Sequence, residues 1–88
     1  MTYKIIFKGR VQGVGFRYRA KQIADKLGLV GSVRNLYNYD VEVYISGSED
    51  KIDQFIDEIS NQSFIRIESY NKIKVDKNIE KNVFQILY

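Results

Sequence analysis

Apolar and polar positions alternate in the first segment of the chain. Within Tyr3–Lys8, the side chains of Tyr3, Ile5 and Phe7 share one firmly apolar face, which is the period of a half-buried strand. Three glycines then fall within Gly9–Gly15, and this density of glycine predicts a loop. The chain therefore begins with a strand that leads into a glycine-rich loop.

The apolar spacing after this loop is helical. It predicts one helix from Phe16 to Leu27, and Gly28 directly after it suits a left-handed helix end. Ser48 can cap a second amphipathic helix, which has two acidic residues in its first turn, where the helix dipole favours negative charge. The buried faces of the two helices are predicted as Phe16, Ala20, Ile23, Ala24 and Leu27, and as Ile52, Phe55, Ile56 and Ile59.

The remaining segments have the pattern of strands and polar turns. Val30–Leu36 and Val41–Ile45 are predicted to pair as an antiparallel hairpin through the polar turn Tyr37–Asp40. A long strand follows the second helix, and the pattern leaves room for a bend in its middle. This strand, the next loop and the last strand are predicted at Phe64–Val75, Lys77–Asn82 and Val83–Tyr88.

The order β-α-β-β-α-β, with an added terminal strand, predicts an α+β protein of the ferredoxin-like plan. Such a fold has a mainly antiparallel sheet of four to five strands with two helices on one face. A chain of 88 residues is expected to form a single domain over residues 1–88. Right-handed crossovers make the first two strands parallel, so the glycine-rich loop and Asn35 are expected at the same end of the sheet.

Composition narrows the chemistry that this chain can carry. Histidine and cysteine are both absent, which removes disulfides, thiolate nucleophiles, the commonest general base and the commonest metal ligand. The net charge of +3 is mild, and no run of like charges indicates a nucleic-acid partner. No signal peptide or membrane-spanning stretch is present, so a cytoplasmic protein is expected.

The glycine-rich loop has two interpretations from spacing alone. Gly13 and Gly15 can adopt positive φ, so that backbone N–H groups turn inward around an anion at the start of the helix. Arg17 would add a planar fork of donors that suits phosphate oxygens. Alternatively, the glycines form only a tight strand-to-helix turn and Arg17 lies in solvent.

Asn35 also allows two interpretations. An asparagine at a strand end often does no more than initiate a turn. Its amide could instead accept a hydrogen bond from water and donate one to a phosphate or acyl oxygen.

The residues of these segments resemble the signatures of the acylphosphatase family. The resemblance rests on Gly9–Arg17 (GRVQGVGFR), Leu27–Gly31 (LGLVG), Val33–Asn35 with Val41–Val43 behind it, and Phe84–Ile86. It covers essentially the whole chain. The resemblance implies a small enzyme that hydrolyses the carboxyl–phosphate bond of acyl phosphates and releases inorganic phosphate.

The same resemblance implies the site residues and the partners. It implies that Arg17 holds the phosphate and that Asn35 orients the attacking water, which makes these two the catalytic residues. No cofactor and no metal is implied, the partner is a small-molecule acyl phosphate, and we expect a monomer. The implied phosphate-binding residues are Gln12, Gly13, Val14, Gly15, Phe16 and Arg17.

The hairpin turn departs from the family pattern, because Asn38-Tyr39 stands where an Asp-Gly pair is usual. A tyrosine at positive φ is strained, so we expect a turn of another type. Two other functions also remain open from the sequence. One is a non-catalytic relative that binds phosphate or acyl phosphate, and the other is an RNA-binding module that uses some of the seven tyrosines.

Overall fold

A computed structural model of the chain describes residues 1–79 and 82–88. The elements within them are β1 (Thr2–Arg10), α1 (Phe16–Leu27), β2 (Val30–Asn35), β3 (Val41–Ser46), α2 (Glu49–Ser60), β4 (Arg66–Lys74) and β5 (Phe84–Ile86). Residues 80 and 81 of the predicted loop Lys77–Asn82 lie outside the described residues. Within the described ranges, neither helix is long and apolar enough to cross a membrane.

The five strands form one sheet in the order β4-β1-β3-β2-β5. Both β1 and β2 run antiparallel to β3, which lies between them, so β1 and β2 are parallel to each other. β4 is antiparallel to β1, and β5 pairs in parallel with β2, which makes the sheet mixed. The predicted ferredoxin-like α+β fold is confirmed, and the carboxyl ends of β1 and β2 lie at the same end of the sheet.

The core fills the space between the sheet and the two helices. Phe7 on β1 packs against Phe16 on α1 with ring centroids 5.1 Å apart, and Phe55 on α2 packs 6.1 Å from Phe84 on β5. All four rings are buried. Burial of each ring stabilises the fold by roughly 1.5–3 kcal/mol, so both helices are held firmly against the strands.

α1 has the predicted bounds, and α2 begins directly after its predicted cap Ser48, because local chemistry sets these helix ends. Gly28 caps α1 with φ 70°, and its N–H and that of Leu29 bond to the last turn, at the carbonyls of Asp25 and Ala24. The Ser48 hydroxyl accepts a hydrogen bond from the Lys51 N–H at the start of α2. Caps of this kind contribute on the order of 1 kcal/mol each.

Several strand ends differ from the prediction because pairing decides them. β1 extends through Gly9 and Arg10, which were expected in the loop, since β4 pairs with them. β4 begins only at Arg66, and β5 covers three residues. The register of β1 against β4 slips between Lys8 and Gly9, which leaves Glu68 as an extra residue on β4. A bulge of this kind locally kinks the strand that carries it, in a strand for which the sequence pattern left room for a bend.

The β2–β3 turn contradicts one expectation. Tyr39 has φ 73°, so the prediction that a tyrosine would avoid positive φ here is wrong. The turn has three residues: the Tyr39 N–H donates to the Leu36 carbonyl (3.2 Å), and the Leu36 N–H donates to the Asp40 carbonyl (2.9 Å). The Asn38 amide oxygen also accepts from the Asp40 N–H (3.1 Å). These bonds hold a backbone conformation that costs roughly 1–2 kcal/mol.

Candidate active site

The loop between β1 and α1 has the backbone shape expected of an anion site. Gly13 and Gly15 have φ 72° and φ 80°. A Cβ added at either glycine would meet no atom within 4 Å, so the need for glycine comes from the backbone conformation and the space around the loop is open. Gly15 caps α1 without a side-chain hydrogen bond, and the first turn of α1 has no acidic residue. An anion can therefore satisfy the N–H groups of this turn.

Arg17 lies on the first turn of α1 and is half-buried. Its Nη1 donates to the Leu87 carbonyl at 3.2 Å, and its Cζ lies 5.0 Å from the centre of the Tyr88 ring. Among the described residues no carboxylate forms an ion pair with it. The guanidinium is thus oriented by a neutral carbonyl and an aromatic face, and its charge remains available to an anionic ligand.

Asn35 ends β2 and is exposed. Its side-chain amide makes no hydrogen bond within the described part of the chain. It lines the same cavity of about 210 Å³ as Gly13, Gly15, Phe16 and Arg17. The glycine-rich loop and the end of β2 therefore lie together, as expected, although Arg17 and Asn35 are 18 positions apart in the sequence.

Two of the predicted loop residues do not line this cavity. The Gln12 amide donates to the Leu36 carbonyl (2.7 Å) and to the Asp40 carbonyl (2.8 Å), so its side chain ties the loop to the hairpin turn. Val14 is half-buried and packs against the core. Phe16 lines the cavity, and its ring is buried in the core. The side chain of Gln12 is therefore engaged away from the cavity, in the hydrogen bonds to the hairpin turn.

The residues after β5 complete the cavity, and no pattern in the sequence indicated them. Tyr88 lines it directly, and Leu87 supplies the carbonyl that orients Arg17. The contact of Leu87 is made by the backbone, which leaves no signal in residue type. Among the described residues that line the cavity, Arg17 alone has a charged side chain, and none is an aspartate, glutamate, histidine or cysteine. The lining suits an anion and has no set of metal ligands.

Residues 3–86 match the family model for Acylphosphatase. The chain belongs to the acylphosphatase family. It is 41% identical over 86 residues to an acylphosphatase of Bacillus licheniformis, a match that covers 97% of this chain and 92% of the relative. It is 40% identical to an acylphosphatase of Treponema denticola, over 81% of this chain and 77% of the relative.

The crystal structure of an acylphosphatase from Bacillus subtilis superposes with a TM-score of 0.91 at 34% identity. It covers 99% of this chain and 98% of that chain. These matches confirm the resemblance seen in the motifs and the prediction of an enzyme of the acylphosphatase family.

Proposed function

We propose that the chain carries out the reaction of its family, the hydrolysis of the carboxyl–phosphate bond of acyl phosphates, without a metal ion. The observation that supports this most directly is the cavity shared by Gly13, Gly15, Arg17 and Asn35. It combines an anion-binding loop, one uncompensated positive charge and one free amide. Phosphoryl transfer depends mainly on such positioning and charge stabilisation.

In this proposal the phosphoryl group lies on the loop. The N–H groups that follow Gly13 and Gly15 and the Arg17 guanidinium bind its oxygens. Binding replaces the hydration of a dianion with fixed donors, and these donors stabilise the charge that shifts in the transition state. Arg17 is ready for this role because its orientation comes from the Leu87 carbonyl and its charge is not neutralised.

Asn35 orients the attacking water in the same proposal. Water attacks phosphorus and the bond from phosphorus to the carboxyl oxygen breaks, with the electron pair leaving on the carboxylate. A phosphate oxygen of the substrate takes the proton of the water, so the products are a carboxylate and dihydrogen phosphate. A carboxylate is a good leaving group, which lowers the need for a general acid in a chain without histidine.

The proposal also covers the partner, the oligomeric state and the location of the protein. The partner is a small-molecule acyl phosphate, and we propose that the chain acts as a monomer in the cytoplasm. A single domain over residues 1–88 also remains a prediction.

One assay tests the reaction and its route. The protein, treated with EDTA, is given acetyl phosphate in ¹⁸O-labelled water, beside an ordinary phosphate monoester. We expect hydrolysis of acetyl phosphate alone, with the label in the phosphate. Label in acetate would contradict attack on phosphorus, equal activity on the monoester would contradict the substrate class, and loss of activity that returns with Mg²⁺ would contradict metal independence.

A further inference from the structure

A second groove adjoins the loop on the β4 side of the sheet. It has a volume of about 720 Å³, and it shares Gly13 with the candidate phosphate cavity. Arg10 and Arg66 both line it, together with the exposed ring of Phe64. We call it the β4-side groove, and its two arginines have no part in the function proposed above.

The two arginines are cross-strand neighbours. Arg10 ends β1 and is the register partner of Arg66, the first residue of β4. Like charges directly opposite one another destabilise a sheet. Both side chains are exposed, and neither has a carboxylate partner among the described residues. A repulsion of this kind that no nearby ion pair offsets is typical of a functional site.

Gly9 brings the two strands close at this point. A Cβ at Gly9 would lie 2.3 Å from the Arg66 carbonyl oxygen and 2.8 Å from the Glu68 nitrogen. Only a glycine permits this approach beside the bulge. The backbone therefore holds the start of β4, and with it Arg66, against the end of β1.

The strand order relates this groove to the reaction. Along the sheet, β4 lies on one side of β1 and its loop, whereas β2, with Asn35 at its end, lies on the other. In phosphoryl transfer the attacking and leaving oxygens lie roughly in line, on opposite sides of phosphorus. If the water is held at Asn35, the carboxylate leaves away from β2, toward β4.

We infer that the acyl group of the substrate occupies the β4-side groove, and that Arg10 and Arg66 favour acyl groups that carry a second negative charge. This inference rests on the proposed function, because it uses the position of Asn35 beside the attacking water. The two guanidinium groups bind a carboxylate or phosphate on the acyl group. They act on specificity, and the phosphoryl group itself stays on the loop and Arg17.

The matched substrates for a test are benzoyl phosphate and 4-carboxybenzoyl phosphate, which differ by one carboxylate on a rigid ring. The readout is the ratio of their kcat/KM values. In the double variant R10Q/R66Q we expect this ratio to fall about three- to tenfold, mainly through KM, since each exposed ion pair contributes little. The effect should shrink with added salt.

Arg34→Gln is the control, because Arg34 lines the groove on the opposite side of the cavity, next to Tyr37 and Tyr39. We expect it to leave the ratio unchanged. A fall of the ratio in Arg34→Gln but not in R10Q/R66Q would place the acyl group on the Asn35 side and overturn the inference. An unchanged ratio in all variants would also overturn it, whereas a wild type that hydrolyses neither these substrates nor acetyl phosphate would overturn the proposed function as well.

Discussion

The two ends of the sheet differ in what surrounds one cation at each. At the end where β1 begins, which we call the paired end, the Lys72 ammonium lies 3.0 Å from Asp53 and 3.7 Å from Glu49, and the Tyr3 hydroxyl donates to Glu49 at 3.0 Å. The loop end has ion pairs too, Lys8 with Asp40 and Arg34 with Glu42, but the guanidinium of Arg17 donates to a carbonyl and has no carboxylate partner among the described residues. The charge of Lys72 is thus neutralised by its neighbours, whereas the charge of Arg17 is left for a ligand.

At the paired end, neighbouring groups raise the pKa of Tyr3 and of Lys72. The hydrogen bond to Glu49 raises the pKa of Tyr3, because a phenolate beside a carboxylate is unfavourable. Burial alone would lower the pKa of Lys72, but its hydrogen bond to Asp53 and the nearby negative charges outweigh burial and raise it. Both groups therefore make the stability of the paired end sensitive to alkaline pH.

The largest expected effect is that of Arg17→Ala. Arg17 has the only charged side chain among the described residues that line the cavity, so its loss should lower kcat/KM for acetyl phosphate by about 100-fold or more, as for a lost oxyanion donor. Stability should change little, since the side chain bonds to a single carbonyl near the surface. Steady-state kinetics and urea unfolding measure the two effects.

Arg19→Ala is the matched control for this change. Arg19 lies on the same helix and is exposed, and within the described ranges its side chain donates only to Gln22 (3.3 Å). It should keep the wild-type rate. A variant Arg17→Ala that retained more than about a tenth of the rate would show that the loop end binds phosphate without this charge.

Asn35→Ala should act on turnover more than on binding. Without the amide, the water is no longer aligned, and kcat should fall roughly tenfold or more. Competitive inhibition by inorganic phosphate should stay within about twofold, because the loop and Arg17 are intact. Full turnover in this variant would remove Asn35 from the mechanism.

The sequence predicted that Arg17 and Asn35 meet at one end of the sheet, and both line the same cavity, while their roles stay predictions. Helix α1 was predictable to its last residue because Phe16, Ala20 and Gly28 act locally. The meeting of Asn35 with the loop followed from the handedness of the crossover. The first inference uses helix-end preferences and the second uses crossover handedness, and neither rule depends on contacts with distant residues.

Other features depend on partners that are distant in sequence. The side chain of Gln12 faces the hairpin turn because two carbonyls, at Leu36 and Asp40, accept from it. The positive φ of Tyr39 is held by the hydrogen bonds of its own turn, which residue preference alone does not reveal. Backbone groups cause both effects, so residue type gave no warning of either.

A third test concerns Tyr39 at the loop end, because its positive φ lowers the free energy of unfolding through backbone strain. Tyr39→Gly should raise the free energy of unfolding by about 0.5–1 kcal/mol, which is the relief of strain less the added entropy of the unfolded chain. Thermal or urea unfolding measures it. A destabilised variant would mean that the exposed ring of Tyr39 contributes packing that outweighs the strain.

Arg66→Gln tests the unpaired charges directly. Removal of one member of the like-charge pair with Arg10 should stabilise the protein by about 0.5 kcal/mol. The gain should diminish at high salt, because screening already weakens the repulsion in the wild type. Lower stability at every salt concentration would show that the Arg66 side chain stabilises the edge strand through packing.

The smallest effect is expected at the paired end, from Tyr3→Phe. A raised pKa in the folded state means that the Tyr3 hydroxyl contributes stability below the unfolded pKa near 10.0 and loses that contribution as pH rises through the folded value. The variant should therefore unfold at a lower urea concentration than the wild type at neutral pH, and this gap in the urea midpoint should close above about pH 10.

Tyr70→Phe is the control, because the Tyr70 hydroxyl makes no hydrogen bond with the described residues, and it should show no such pH-dependent gap. A gap for Tyr3→Phe that stayed constant into alkaline pH would mean that the hydroxyl acts through packing and not through its bond to Glu49. With kcat for acetyl phosphate unchanged at neutral pH, the paired end would be confirmed as a stabilising region that takes no part in turnover.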